Sequence, residues 1–191
     1  MLSTGREGGY RPCVVSHRNL TRKIPGHVPD HVDTVLEQWA AVAPDLDTGH
    51  LGVVARLHRL AHQFRLRADT VLGPNGLTQG EFDVLSALLR SGSTDGMTPG
   101  ALAAGVLVSS GGMTKRLAAL EAGGWITRRR SPRDGRSIRV VLTPSGRQRL
   151  EALLPAYFAT EAEVLDGLDS AERDGLAELL RELSLRLDLG R

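Results

Sequence analysis

The chain has 191 residues, 41% hydrophobic, with 24 Lys and Arg against 22 Asp and Glu, a formal net charge of +2. That length allows one compact core or two small domains, and the composition fits a globular protein rather than a disordered or fibrous one. A single cysteine excludes an internal disulfide framework and suits a reducing compartment, and no apolar run is long enough to span a bilayer.

Residues 1–29 carry glycines, prolines and scattered basic residues without periodicity, and are expected to form a disordered leader. It lacks the apolar core of a secretory signal, which points to a cytoplasmic protein. Cys13 falls in this leader and reads as incidental; Arg18, Arg22 and Lys23 are basic enough to touch DNA, or do nothing.

From Asp30 to Val42 the residues Val32, Val35, Leu36 and Trp39 share one helical face. Ala43-Pro44 breaks that helix, because a residue before proline is pushed out of the helical region. Asp47 or Thr48 is placed to cap a long helix reaching Leu72, with an apolar stripe of Leu51, Val54, Leu57, Ala61, Phe64, Ala68 and Val71. Such a helix suits a dimerisation arm. His58 and His62 stand at i, i+4, a spacing that can hold a metal, but with no third ligand they read as a helix-surface pair.

Thr78 and Glu81 form a capping box for a helix that turns Phe82, Leu85, Leu88 and Leu89 inward. Thr98-Pro99 starts a short helix, since Pro suits the first helical position. Ser109 or Ser110 is placed to cap a second helix that runs to Glu121 or Ala122 and stops at Gly123-Gly124. Its Met113, Leu117 and Leu120 face inward; Ser110, Gly111, Thr114, Lys115 and Ala118 are left outside. A small, hydroxylated, cationic outer face suits a helix lying in a DNA major groove.

The strand Trp125–Arg130 follows, then the turn Ser131-Pro132-Arg133-Asp134-Gly135-Arg136, then a returning strand from Ser137 to Leu142 with Ile138, Val140 and Leu142 on one face. Thr143-Pro144 opens another helix, with a kink expected at Pro155. Ser170 is placed to cap a last helix whose apolar face is Leu176, Leu179, Leu180, Leu183 and Leu187.

Charge is unevenly spread. Residues 115–149 hold ten Lys and Arg against two acids, whereas residues 150–191 hold four Arg against ten acids. Positive charge thus concentrates on the expected reading helix and hairpin, the asymmetry of a DNA-binding module on an acidic body. The competing reading is a merely solvated charged face.

Taken together, Leu77-Thr78-Gln79-Gly80-Glu81, the helix pair from Thr98 to Ala122, Asp134-x-Arg136 and Leu142-Thr143-Pro144-Ser145-Gly146 resemble the MarR family of winged-helix transcriptional regulators. The resemblance covers roughly residues 49–187. It implies a mainly α fold with a small β-hairpin wing and α-helical dimerisation arms, divided as leader 1–29, N-terminal dimerisation helices 30–76, winged helix-turn-helix 77–145 and C-terminal dimerisation helices 146–191. It further implies a homodimer on a near-palindromic double-stranded operator, acting as a repressor and released by a small anionic or aromatic ligand.

The DNA-contacting candidates are Ser109, Ser110, Gly111, Thr114, Lys115 and Arg116 on the reading helix, and Arg128, Arg130, Arg133 and Arg136 on the wing. Asp134 is given a structural part by the resemblance, fixing the turn and orienting Arg136. Arg116 could instead bridge to the protein. For an effector, Trp39, His50, Arg56, Arg59 and Arg65 could supply an aromatic wall and cations, or could be ordinary helix-surface residues.

No P-loop, GxSxG, HExxH or Gly-rich dinucleotide fingerprint is present, so an enzyme is not expected and no cofactor is implied. An architectural DNA binder without a ligand remains the alternative.

Overall fold

A computed structural model of the chain describes residues 28–106, 112–131 and 137–189. Seven helices and one antiparallel hairpin are described: α1 His31–Val42, α2 Leu51–Leu72, α3 Gln79–Arg90, α4 Pro99–Gly105, α5 Met113–Ala122, β1 Ile126–Arg130, β2 Ile138–Leu142, α6 Pro144–Val164 and α7 Ser170–Leu189. This is the mainly helical, hairpin-bearing fold expected. The chain divides after Arg59 into two compact units.

In the first unit α1 starts at a capping box, with Asp30 accepting from the Val32 and Asp33 backbones and Asp33 answering to the Asp30 N–H. Arg56 of α2 forks onto the same two acids, at 2.9 Å from Asp30 and 2.8 Å from Asp33. That hydrogen-bonded guanidinium holds the Asp30 carboxyl below the usual carboxylate range. α2 begins at Leu51 rather than directly after Asp47 or Thr48. Asp47 instead accepts from the Gly49 N–H in a local turn, and the Thr48 carbonyl receives the Leu51 N–H.

The second unit holds the core. Phe82, Val84, Leu85, Ala87 and Leu88 of α3, Leu102 of α4, Met113, Leu117 and Leu120 of α5, and Leu150, Leu153 and Tyr157 of α6 bury together with Trp125, Ile126 and Val140. The helix starts follow the local chemistry. Thr78 and Glu81 make a reciprocal capping box, and Thr98 and Thr143 each accept a backbone N–H from the third helical residue, with Pro at the first turn. Val84 and Ala87 broaden the buried face of α3 beyond its expected stripe, because α3 is covered from more than one side.

Two expectations need correction. α5 starts at Met113 with Gly112 at its N-cap, and no side chain caps it. Gly112 has φ 89°, a left-handed conformation that a β-carbon would strain. The expected caps Ser109 and Ser110 lie outside the described residues. α7 is capped by Asp169 rather than Ser170: Asp169 accepts the Glu172 N–H at 2.9 Å, and Glu172 accepts the Asp169 N–H at 2.9 Å. α6 runs without interruption past Pro155 from Pro144 to Val164.

The hairpin pairs Ile126 with Leu142 through Arg130 with Ile138. A third backbone joins it, since Met97 and Val140 exchange N–H···O bonds of 3.0 and 2.8 Å. In α7, by contrast, Leu176, Leu179, Leu180, Leu183 and Leu187 all lie exposed, and no residue of Ser170–Asp188 is buried. Among the described residues no helix is long and apolar enough to cross a membrane.

Candidate nucleic-acid interface

The candidate interface is built from α5 and the hairpin root. Met113, Leu117 and Leu120 anchor α5 against the core at 8%, 2% and 1% exposure. That fixes the rotation of the helix, so Thr114, Lys115 and Ala118 point to solvent as expected. Arg116 does not share that face. It is half-buried and its guanidinium lies on the first turn of α3, where a β-carbon at Gly80 would come within 2.6 Å of Nε. A side chain there would push the tip of Arg116 aside. The Arg116 charge also bears on Asp83 of α3, drawing its pKa down against a larger upward push from burial.

Arg128 and Arg130 are exposed on β1. Arg128 is held by the last turn of α5: Glu121 accepts its backbone N–H at 3.0 Å, its Nε at 2.8 Å and its Nη2 at 2.6 Å. Those hydrogen bonds, the side-chain one foremost, keep the Glu121 carboxyl below its ordinary pKa. The helix α5 and the hairpin are therefore clipped together by one ion pair. Arg129 reaches the Thr94 carbonyl at 2.7 Å, tying the wing to the α3–α4 loop.

The wing root is fixed from below as well. Thr143 donates its hydroxyl to the Gly124 carbonyl at 2.7 Å, and Arg149 of α6 lies 3.6 Å over the Trp125 ring while donating to the Gly123 carbonyl at 3.2 Å. Gly146 approaches the Trp125 backbone so closely that a β-carbon would lie 2.8 Å from both its Cα and its carbonyl carbon. Trp125 and Arg149 were missed as organising residues; the tryptophan was legible as apolar, the cation above it was not. Ser109, Ser110, Gly111, Arg133, Asp134 and Arg136 lie outside the described residues.

The five residues singled out for a ligand fall in both units. Trp39, His50 and Arg59 are exposed in the first unit, Arg56 is committed to Asp30 and Asp33, and Arg65 is exposed in the second unit. His58 and His62 are both exposed, and among the described residues no group of three or more His, Cys, Asp or Glu is arranged to hold a metal.

A cavity of about 830 Å³ opens within the second unit, between α3, α6 and the second half of α2. Phe64, Phe82, Tyr157 and Phe158 give it aromatic walls. Gln79 donates to Asp83 Oδ1 at 2.9 Å and to the Tyr157 hydroxyl at 3.0 Å. Burial pushes the Tyr157 phenol up to about 12. The other Asp83 oxygen, Oδ2, and the Ser86 hydroxyl are buried without a partner. An orphaned carboxylate oxygen and an orphaned hydroxyl in an apolar cavity cost stability unless something fills it. Sequence periodicity marked Phe82 as core and passed over Asp83 and Ser86 as the polar side of the same helix.

A MarR family profile matches residues 75–137, which span α3 to the wing. An uncharacterized HTH-type transcriptional regulator of Mycobacterium leprae, ML2140, is 37% identical over 78% of this chain and 96% of its own length. The chain belongs to the MarR family. It is a MarR-family transcriptional regulator of winged-helix fold. Among solved structures, a mutant MarR of E. coli complexed with operator DNA matches with a TM-score of 0.61 over 76% of this chain and 96% of that one, at 24% identity. The Mycobacterium tuberculosis MarR-family protein Rv2887, complexed with p-aminosalicylic acid, matches with a TM-score of 0.54 at 26% identity, over 69% of this chain and 98% of that one.

Proposed function

We propose that this MarR-family regulator is a homodimeric repressor that binds a near-palindromic operator and is released when a small aromatic ligand fills the α3–α6 cavity. The observation that carries the reading is the separation of its surfaces. Cations crowd α5 and the wing, while α7 presents five leucines to solvent. Leucines worth roughly 1.5–3 kcal/mol each on full burial are a strong drive to pair with a second copy. In that dimer α1, α2, α6 and α7 form the pairing region, and the two reading heads meet successive major grooves. The E. coli relative complexed with operator DNA supports the DNA partner.

Thr114 and Lys115, with Ser109, Ser110 and Gly111 before them, are the groups offered to base edges and phosphates. Arg128 and Arg130 meet the backbone beside the groove; Arg133 and Arg136 clasp flanking DNA, with Asp134 fixing their turn. Arg116 acts through α3 rather than at the groove. Its position over Gly80, with its charge on Asp83, gives the cavity a route to the reading helix. A ligand that brings N–H or O–H donors to Asp83 Oδ2 and Ser86 Oγ would stack among the aromatic walls and disturb that contact. The p-aminosalicylic acid complex of Rv2887 supports an aromatic effector. The chain then acts by binding and not by catalysis.

Titrating the protein onto duplex from its own promoter region, with bulk DNA as competitor, tests the regulator reading. A preference of roughly 10³-fold or more for one site is expected; an equal affinity for all duplexes would establish the architectural alternative. Light scattering should give twice the 20.5 kDa chain mass. In a thermal melt, p-aminosalicylic acid and related aromatic amines and acids should raise the midpoint of the parent and not of Asp83→Asn; equal shifts would remove the cavity from the reading.

A further inference from the structure

The antiparallel register sets Arg129 of β1 directly opposite Arg139 of β2. Side chains alternate along a strand, so both project from the same face of the hairpin, and facing residues have Cβ atoms only about 4.5–5.5 Å apart. Like charges so placed repel. Among the described residues neither guanidinium meets an acid. Arg129 has the neutral Thr94 carbonyl as its partner, and Arg139 is half-buried with a buried Nε that meets nothing. Among the described residues neither forms an ion pair. Their neighbours are treated differently: Arg128 is neutralised by Glu121 and Arg149 rests on Trp125. Among the described residues the hairpin therefore keeps one pair of opposed charges that no acid answers.

We propose that Arg129 and Arg139 are a phosphate clamp at the root of the wing, taking one backbone phosphate of duplex DNA between them. The guanidinium fork fits two phosphate oxygens side by side, and one anion between two forks turns a repulsion into two charge-assisted contacts. The contact from Arg129 to the Thr94 carbonyl of the α3–α4 loop fixes one arm of the clamp. This inference rests on the DNA-binding reading above and adds two residues to its footprint.

The test compares the full chain with Arg139→Met, Arg129→Gln and the double variant, by fluorescence anisotropy on promoter duplex over a series of salt concentrations. Methionine keeps an apolar stem in the half-buried site and removes only the charged head. Each single variant should lower the slope of log K against log salt by about 0.9, the value for one phosphate on B-DNA. The double variant should lose the same single increment, because both residues hold one phosphate. Site-specific and scrambled duplexes should weaken by the same factor. The melting temperature of Arg139→Met should equal or exceed the parent's, because a repulsion has been removed and the buried Nε had no partner to lose, whereas a purely structural arginine would lower it; Arg129→Gln, which also loses the Thr94 contact, is read by its salt slope alone. An unchanged slope, a double variant that loses two increments, or a lowered melting temperature of Arg139→Met with unchanged affinity overturns the clamp alone. A parent chain that binds no duplex at all overturns the regulator reading, and the clamp with it.

Discussion

Replacing Gly146 by alanine tests whether α6 really seats on the root of the wing. A methyl at that position would lie 2.8 Å from the Trp125 Cα and carbonyl carbon and nearer still to the carbonyl oxygen, against an ordinary contact of 3.4 Å or more. The obstacle is backbone, which cannot rotate away as a side-chain tip can. The first turn of α6 must lift by roughly half an ångström or more, and overpacking of that kind costs about 1–3 kcal/mol. The same lift strains the Thr143 cap, whose Oγ1 accepts the Gly146 N–H at 2.9 Å, and a lost cap costs about 1 kcal/mol. Against this stands the better helix propensity of alanine, at most about 1 kcal/mol. The net is a destabilisation of about 2 kcal/mol, or a melting temperature lower by about 4–8 °C for a chain of this size. Gly80→Ala is the matched control. There the methyl would meet only the tip of the Arg116 side chain, at 2.6 Å, so a rotamer change of about 0.5–1.5 kcal/mol offsets the helix gain and the melting temperature should hardly move. Differential scanning fluorimetry of both variants decides the matter. A Gly146→Ala protein that melts with the parent would refute the close seating of α6 on Trp125.

Three further outcomes follow from the same geometry. Leu120, at 1% exposure in the middle of the core, should cost about 2–5 kcal/mol when cut to alanine, read as a lower urea midpoint. Because Arg128 holds the Glu121 carboxyl below its ordinary 4.5, the stability from that pair is present above pH 4.5 and is lost as pH falls through the depressed value. Parent and Glu121→Gln should thus differ most in melting temperature near neutrality and converge in acid; a gap that widens on acidification would contradict the pairing. Leu180→Asp with Leu183→Asp should halve the mass seen by light scattering while leaving the far-ultraviolet spectrum of the core intact, since no residue of Ser170–Asp188 is buried within the chain.

The sequence alone determined the parts whose cause lies within one turn or one strand. Thr78, Thr98 and Thr143 announce their helices because a cap needs only its own next three residues. Ile138, Val140 and Leu142 announce their shared face because the strand period is two. Met113, Leu117 and Leu120 likewise gave the rotation of α5 before any neighbour was known. What only the tertiary structure decided is how charges meet across the chain. Arg56 finds Asp30 across 26 residues, Arg149 finds the Gly123 carbonyl across 26, and Arg128 finds Glu121 around the turn that joins α5 to β1. An arginine stem is long and its head is soluble anywhere on the surface, so its position in the sequence leaves its partner open. The same holds for Asp83 and Ser86. Their place on the polar side of α3 is plain from the sequence, and only the packing of α6 and α2 around them turns that side into a cavity with two unanswered oxygens.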